Sequence, residues 1–424
     1  MTKCLLLTVT AVTIAAPLAA QTASSDRARR VADDVRILAS DAWTGRKVCT
    51  PGNDSAAAYI AAELQRLRLR PMGDSGTWYQ HWTIGNTTGT RQAGIAGCRT
   101  RNIVAAIPGR GPLASQAVIL GAHFDHLGVG GFGSASGDSI SIHNGADDNG
   151  SGSAALMEIA RGLARLAMQR DDRPRRTIIV GWWNAEEEGI LGSTWFANNM
   201  PVPAESVMAY LNFDMIGRLR NGRLIALGLR TAEEWQTLLD SVNATARLDL
   251  RASGDGWGPS DHAAFTPKHI PVMHFFTDLH EDYHRPGDDA DRINADGIVQ
   301  VVDFGSDLAR RLAFLPARLT YVDVPAPAPP VAATSGRPRP SLGTIPDMTD
   351  EPGGVRLSGV RPGSPADSAG MREGDILVGL GEHDIANLQG FQNALMAHAA
   401  GDRVELRWRR GGEAMRATVI LAAR

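Results

Sequence analysis

The chain has 424 residues, too many for one ordinary domain and enough for two or three. Hydrophobic residues make up 43% and charged residues 21%, the values of a globular protein. A formal net charge of -3 gives no electrostatic reason to expect nucleic acid or an anionic membrane as a partner.

The first residues read as a targeting segment rather than as part of a fold. Lys3 precedes an apolar run from Cys4 to Ala16, and small residues lead to Ala19 and Ala20 before polar Gln21. This is the pattern of a signal peptide over residues 1–20, too short for a transmembrane helix. Cys4 lies too early to carry a lipid. No later stretch is long and apolar enough to span a bilayer, so the expected mature protein has no membrane anchor and is exported, periplasmic or secreted. It keeps two cysteines, Cys49 and Cys98, outside any metal-binding spacing. In an oxidising compartment they either pair or stand as two buried thiols.

Residues 26 to 70 read as helical, with an amphipathic period from Asp54 to Leu67 and a stop at Pro71. Apolar, strand-like runs follow at Asn102–Ile107, Ala117–Ala122, Thr177–Trp183, Val207–Asn212 and Ile270–Phe276. Helical stretches lie between several of them, including Ser153–Ala164, and a last one runs from Asp296 to Leu315. The expected fold class is α/β: a mainly parallel mixed sheet sandwiched by helices. Chemistry in such sheets gathers at the carboxyl ends of the strands.

The composition changes after Leu315. Residues 321–340 form a Pro-rich, extended linker. The expected division is a leader at 1–20, a main domain at 26–320, the linker, and a small β-rich domain at 341–424.

The candidate site residues all fall at or just past strand ends. His123 ends one apolar run and Asp125 lies two residues on. Asp147-Asp148-Asn149 sits in a Gly-rich turn that opens a helix. Glu186-Glu187-Glu188 follows Trp183 by three residues. Asp214 follows Asn212, and His284 lies between Tyr283 and Pro286. Alone, each has a bland reading: a surface pair, a helix N-cap, a solvated charge run. Together, the histidines and carboxylates form an N/O donor set without thiolate, suited to a catalytic zinc site that keeps open positions. Cobalt or manganese suits such a set as well. One carboxylate in the Gly-rich loop can bridge two ions, and tandem glutamates can supply a ligand and a general base.

From about Val31 to Leu315 the chain resembles the co-catalytic dizinc aminopeptidases of the zinc exopeptidase superfamily. The resemblance is carried by five segments: Gly121 to His126, Asn144 to Gly152, Asn184 to Gly189, Asn212 to Gly217 and Asp282 to Pro286. It implies two zinc ions bridged by Asp148, one completed by His123 and Asp214, the other by Glu187 and His284. It further implies Glu186 as general base, Asp125 as the carboxylate that orients His123, and Tyr283 as a donor to the tetrahedral intermediate. The order of Glu186 and Glu187 rests on this resemblance; spacing does not distinguish among the three adjacent glutamates. Ser260-Asp261-His262 resembles a further motif near the substrate and stays outside the ligand set. Glu188 departs from the family pattern, in which that position is apolar, and is expected to add negative charge near the site. Trp82 and Asn102 are too close in sequence for an inserted protease-associated domain.

Residues 341 to 424 resemble a bacterial PDZ domain. Ser341 to Ile345 occupies the position of its carboxylate-binding loop, Gly359 to Leu377 carries the characteristic run, and Leu388 to Ala397 reads as the helix beside the groove. Such domains add an extended peptide to a sheet edge. The expected partners are peptides with a free N-terminus, and a peptide or protein C-terminus in the groove. The expected activity is that of an exported metalloaminopeptidase. The alternatives are a dipeptidase or carboxypeptidase on the same scaffold, a glutaminyl cyclase, which shares the architecture but usually holds one metal, or a non-enzymatic peptide-binding protein with a degenerate hydrolase domain.

Overall fold

The computed structural model describes residues 16–136, 140–168, 172–326, 340–349 and 351–423. Most of the expected leader and the greater part of the Pro-rich linker lie outside these residues.

Nine strands build the central sheet: β1 (Arg70–Pro71), β2 (Tyr79–Thr83), β3 (Arg99–Ile107), β4 (Ala117–His123), β5 (Thr177–Trp183), β6 (Val207–Phe213), β7 (Arg223–Leu227), β8 (Asp249–Ser253) and β9 (Val272–Phe276). Their order is β1-β3-β5-β4-β6-β9-β7-β8, with β2 also paired to β3. The middle strands β5, β4, β6 and β9 run parallel, while β3 and β7 join them antiparallel. The sheet is therefore mixed, with its parallel part at the centre. All seven residues of β4 and of β6 are buried, which is why these segments lack a polar alternation.

Seven helices accompany the sheet: α1 (Ala16–Leu38), α2 (Pro51–Arg66), α3 (Thr88–Gln92), α4 (Gly152–Met168), α5 (Leu191–Asn198), α6 (Trp235–Ala246) and α7 (Ala295–Phe314). Val118, Leu120 and Ala122 of β4 face a core shared with α1, α2, α4, α6 and α7. Ala117 and Ile119 face a smaller core with Phe196 of α5 and Phe265. The alternation follows the two-residue period of a strand. Among the described residues no helix is long and apolar enough to cross a membrane.

The helical region expected over 26 to 70 is two helices. α1 ends at Leu38, a tight turn covers Asp41–Arg46, and Thr44, Gly45 and Arg46 all take positive φ. The break follows from a tertiary demand, since it carries the Arg46 side chain into the interior, where it is fully buried. Cys49 and Cys98 are joined in a disulfide, which ties the segment before α2 to the residue before β3.

Residues past α7 stay on this domain as far as Val324, whose carbonyl accepts from Trp257 Nε1, with Val322 N donating to Thr231 O. The second domain comprises β10 (Pro340–Ser341), β11 (Thr344–Pro346), β12 (Val355–Val360), α8 (Pro365–Ser368), β13 (Ile376–Leu380), β14 (His383–Asp384), α9 (Leu388–Met396), β15 (Arg403–Arg410), β16 (Glu413–Ile420) and β17 (Ala422–Ala423). Its main sheet runs β11-β12-β13-β15-β16 around its own core, which includes Leu342, Leu357, Leu377, Phe391 and Trp408.

Candidate metal centre

The carboxyl ends of β4, β5 and β6 deliver the candidate residues to one edge of the sheet. His123 is the last residue of β4, Glu186 and Glu187 follow β5, and Asp214 follows β6 directly. Asp148 comes from the turn before α4, and His284 from the loop after β9.

Two groups of closely spaced donor atoms result, and Asp148 belongs to both. One is His123, Asp148 and Asp214; the other is His126, Asp148 and Glu187. His123 Nε2 lies 3.3 Å from Asp148 Oδ1 and 3.3 Å from Asp214 Oδ1. His284 Nε2 lies 3.1 Å from Asp148 Oδ2 and 3.1 Å from Glu187 Oε2. The five expected ligands are thus neighbours. His126 joins them, with Nδ1 at 2.6 Å from Glu187 Oε1. It stands inside the quoted segment Gly121 to His126, but spacing from His123 alone gives no reason to single it out.

The supporting side chains explain why these groups stay together. Asp125, fully buried, has one oxygen 3.7 Å from His123 Nδ1. Its two oxygens accept from the backbone amides of Glu186 and Glu187. One carboxylate therefore holds the β4 end against the loop after β5. Ser260 Oγ donates to Asp214 Oδ2 at 2.7 Å. Asp288 Oδ2 accepts from the amides of both Asp147 and Asp148, and its other oxygen takes Arg218. Arg46 donates to the carbonyls of Leu38, Phe124, Asn144 and Gly145, clasping α1, the His123 loop and the Asp148 loop together. Arg46 carries no mark in the sequence, because most of its partners are distant in the chain, whereas Ser260 belongs to the Ser260–His262 motif noted in the sequence.

Two glycines of the metal loop are needed for space. A Cβ on Gly145, which has φ +56°, would lie 2.1 Å from Asp148 O. A Cβ on Gly152 would lie 2.2 Å from Phe213 O, where α4 begins against the end of β6.

The electrostatics are those of many acids in little water. Burial, reinforced by Asp261, Glu187 and Asp214, raises Glu186 well above the ordinary carboxyl range despite the opposing His123. Burial opposes the charge on His284, but Glu187 and Asp148 outweigh it and lift that imidazole to about 10. Burial, then Asp125 and Glu187, push Glu188 up to about 9. The negative charge expected of Glu188 is thus opposed by its surroundings. Its Oε2 is buried without a hydrogen-bond partner among the described residues.

The residues fit a pair of metal ions. Asp148, Glu186, Glu187 and Asp214 crowd a nearly dry space, where uncompensated charge is costly. Both ring nitrogens of His123, Nε2 of His126 and Oδ1 of Asp214 are buried without a hydrogen-bond partner among the described residues. Of these, His123 Nε2 and Asp214 Oδ1 face each other at 3.3 Å, the donor chemistry of a cation site. Tyr283 stacks on His284 with ring centroids 3.9 Å apart and belongs to the rim of the same cleft.

Residues 102–308 match Peptidase family M28, and residues 340–421 match a PDZ domain. The chain is similar to leupeptin-inactivating enzyme 1 of Streptomyces exfoliatus, 32% identical over 46% of this chain and 39% of that protein. It is also similar to leucine aminopeptidase 1 of Trichophyton rubrum, 28% identical over 56% of this chain and 67% of that one. Among solved structures, a glutaminyl cyclase of Porphyromonas gingivalis superposes with a TM-score of 0.54 at 18% identity, covering 67% of this chain and 98% of that one. That likeness concerns the fold alone.

Proposed function

We propose that this chain, in which residues 102–308 match peptidase family M28 and residues 340–421 a PDZ domain, is an exported aminopeptidase dependent on two metal ions. The observation that carries the reading is the place of Asp148 in both donor groups, because a shared carboxylate is what a two-ion site requires. Export is supported by the leader-like first 20 residues.

His123, Asp148 and Asp214 would hold one ion, and Asp148, Glu187 and His284 the other, with zinc favoured by the N/O donor set. Bound there, the ions would supply Lewis acidity and make water a nucleophile at neutral pH. Glu186 takes the proton of the attacking water and returns it to the leaving amine. Its Oε2 lies 4.0 Å from His123 Nε2, close to the ligands but outside the donor groups that share Asp148. Asp125 fixes the Glu186–Glu187 backbone and faces His123 Nδ1, so that Nε2 points at the carboxylates. His126 orients Glu187. Tyr283 donates its hydroxyl to the developing oxyanion.

The complete donor set speaks against a degenerate hydrolase. Aminoacyl-anilides, dipeptides and N-blocked peptides, tested with and without a chelator, separate the remaining readings. The proposal expects hydrolysis of the free-amine substrates only, abolished by the chelator. Turnover of the N-blocked peptides alone would overturn it.

A further inference from the structure

Among the described residues, the contacts between the two domains gather beside the candidate active site. Arg223, at the start of β7, pairs with Asp347. Asp278, just past β9, accepts from Ser358 on β12. Met348 and Tyr283 both pack against the small cluster formed by Met215, Ile225 and Phe276. The second domain is thus seated on the loop that also carries His284.

Its peptide-binding edge has a direction. β11 pairs with β12 on one side and has no strand partner on the other among the described residues. An edge strand of this kind accepts an extended peptide through its backbone groups. Phe391 and Ala394 of α9 share one core with Leu342, just before β11. Ser341 to Gly343 comes immediately before β11, at the place where PDZ domains hold a C-terminal carboxylate in backbone amides. A peptide anchored there leaves the loop along β11, from Thr344 towards Pro346. The next residues are Asp347 and Met348, the pair in contact with the first domain.

We propose that the PDZ groove holds the C-terminus of the very peptide being trimmed and aims its N-terminus at the catalytic cleft of the same chain. The occupant is an oligopeptide with both termini free. This inference rests on the aminopeptidase reading and adds to it an orientation and a length. Three or four peptide residues lie beside β11, and a few more pass Met348 to the Tyr283 rim. Only a peptide long enough to lie along β11 and pass Met348 occupies both sites at once. Shorter ones use the cleft alone. For longer ones the gain falls as the intervening chain lengthens. Trimming would therefore slow as the peptide shortens, and short products would leave.

The test compares an octapeptide with N-terminal leucine as its free acid and as its C-terminal amide on the full chain. The expected result is a KM for the amide at least about tenfold higher with kcat unchanged, and identical behaviour of the acid and amide forms of a Leu dipeptide. Equal KM values for the two octapeptides would overturn the proposal. A second arm needs no turnover: the same octapeptides carry a photo-cross-linker at the N-terminus and are mixed with chelated full-length protein. The acid should label the segment 277–288, and the amide should not. Labelling confined to residues 340–421, or equal labelling by both forms, refutes the orientation. A protein that ignores leucyl-anilide would refute the proposed activity instead, and the cross-link would still decide the orientation.

Discussion

The two recognition regions of this molecule are built from different materials. The candidate metal centre is made of buried side chains at strand ends, each held by a second residue: Asp125 by two backbone amides, Asp148 through its own amide's bond to Asp288, Asp214 by Ser260. The edge of β11 offers backbone groups in a three-residue strand with half-buried side chains. The first depends on residue identity at a few positions and is rigid. The second depends on the course of the chain and tolerates side-chain variety. A site of the first kind does chemistry; one of the second kind captures a chain whatever its sequence.

The largest effect that could break this contrast is at Glu186. Glu186→Gln should keep the metals and lower kcat by about 100- to 10,000-fold. Glu187→Gln should instead reduce the metal bound. Near-full activity of Glu186→Gln, measured beside the metal content of both variants, would remove the assigned base.

Next comes the Arg46 clasp. Arg46→Met leaves four carbonyls without their donor, each costing about 1–3 kcal/mol when it stays dry. A destabilisation on the order of 3 kcal/mol or more is expected in denaturant unfolding, with loss of metal. An unchanged midpoint would show that the clasp is dispensable.

A smaller effect is expected on the helical face far from the site. Burial disfavours the charge on Glu63, but Arg66 and Arg161 outweigh it and hold this half-buried carboxyl below its ordinary value. Its contribution to stability is therefore present above the unfolded value of about 4.3 and is lost as pH falls through the folded one. Comparison of wild type with Glu63→Gln should show a difference under about 1 kcal/mol at pH 7 that shrinks as the pH falls below the unfolded value. A difference independent of pH would contradict this.

The smallest expected effect is none. None of the proposed ligands lies beyond His284, so a chain ending near Val324 should hydrolyse leucyl-anilide as the full chain does. Truncated protein that folds and binds metal but fails on this substrate would show that Met348 and its neighbours complete the cleft.

Much of this was legible in the sequence, for physical reasons that also mark the gaps. β4 and β6 are buried on both faces, so their apolar runs announce themselves, and the ligands stand where those runs end. β8, with Asp249 and Arg251 exposed, carries too little apolar signal to stand out. The break between α1 and α2 was missed because it serves Arg46, whose partners lie up to 99 residues away. His126 was passed over because its role appears only once Glu187 is beside it. The burial that works against a charge on Glu188 is encoded in no local pattern.

The most direct test of the central claim is the metal content of purified, active full-length protein. The account predicts about two ions per chain, lost together with activity on chelation and recovered with zinc or cobalt. Full activity with a single ion per chain would contradict the bridging role of Asp148 and the two-ion site built on it.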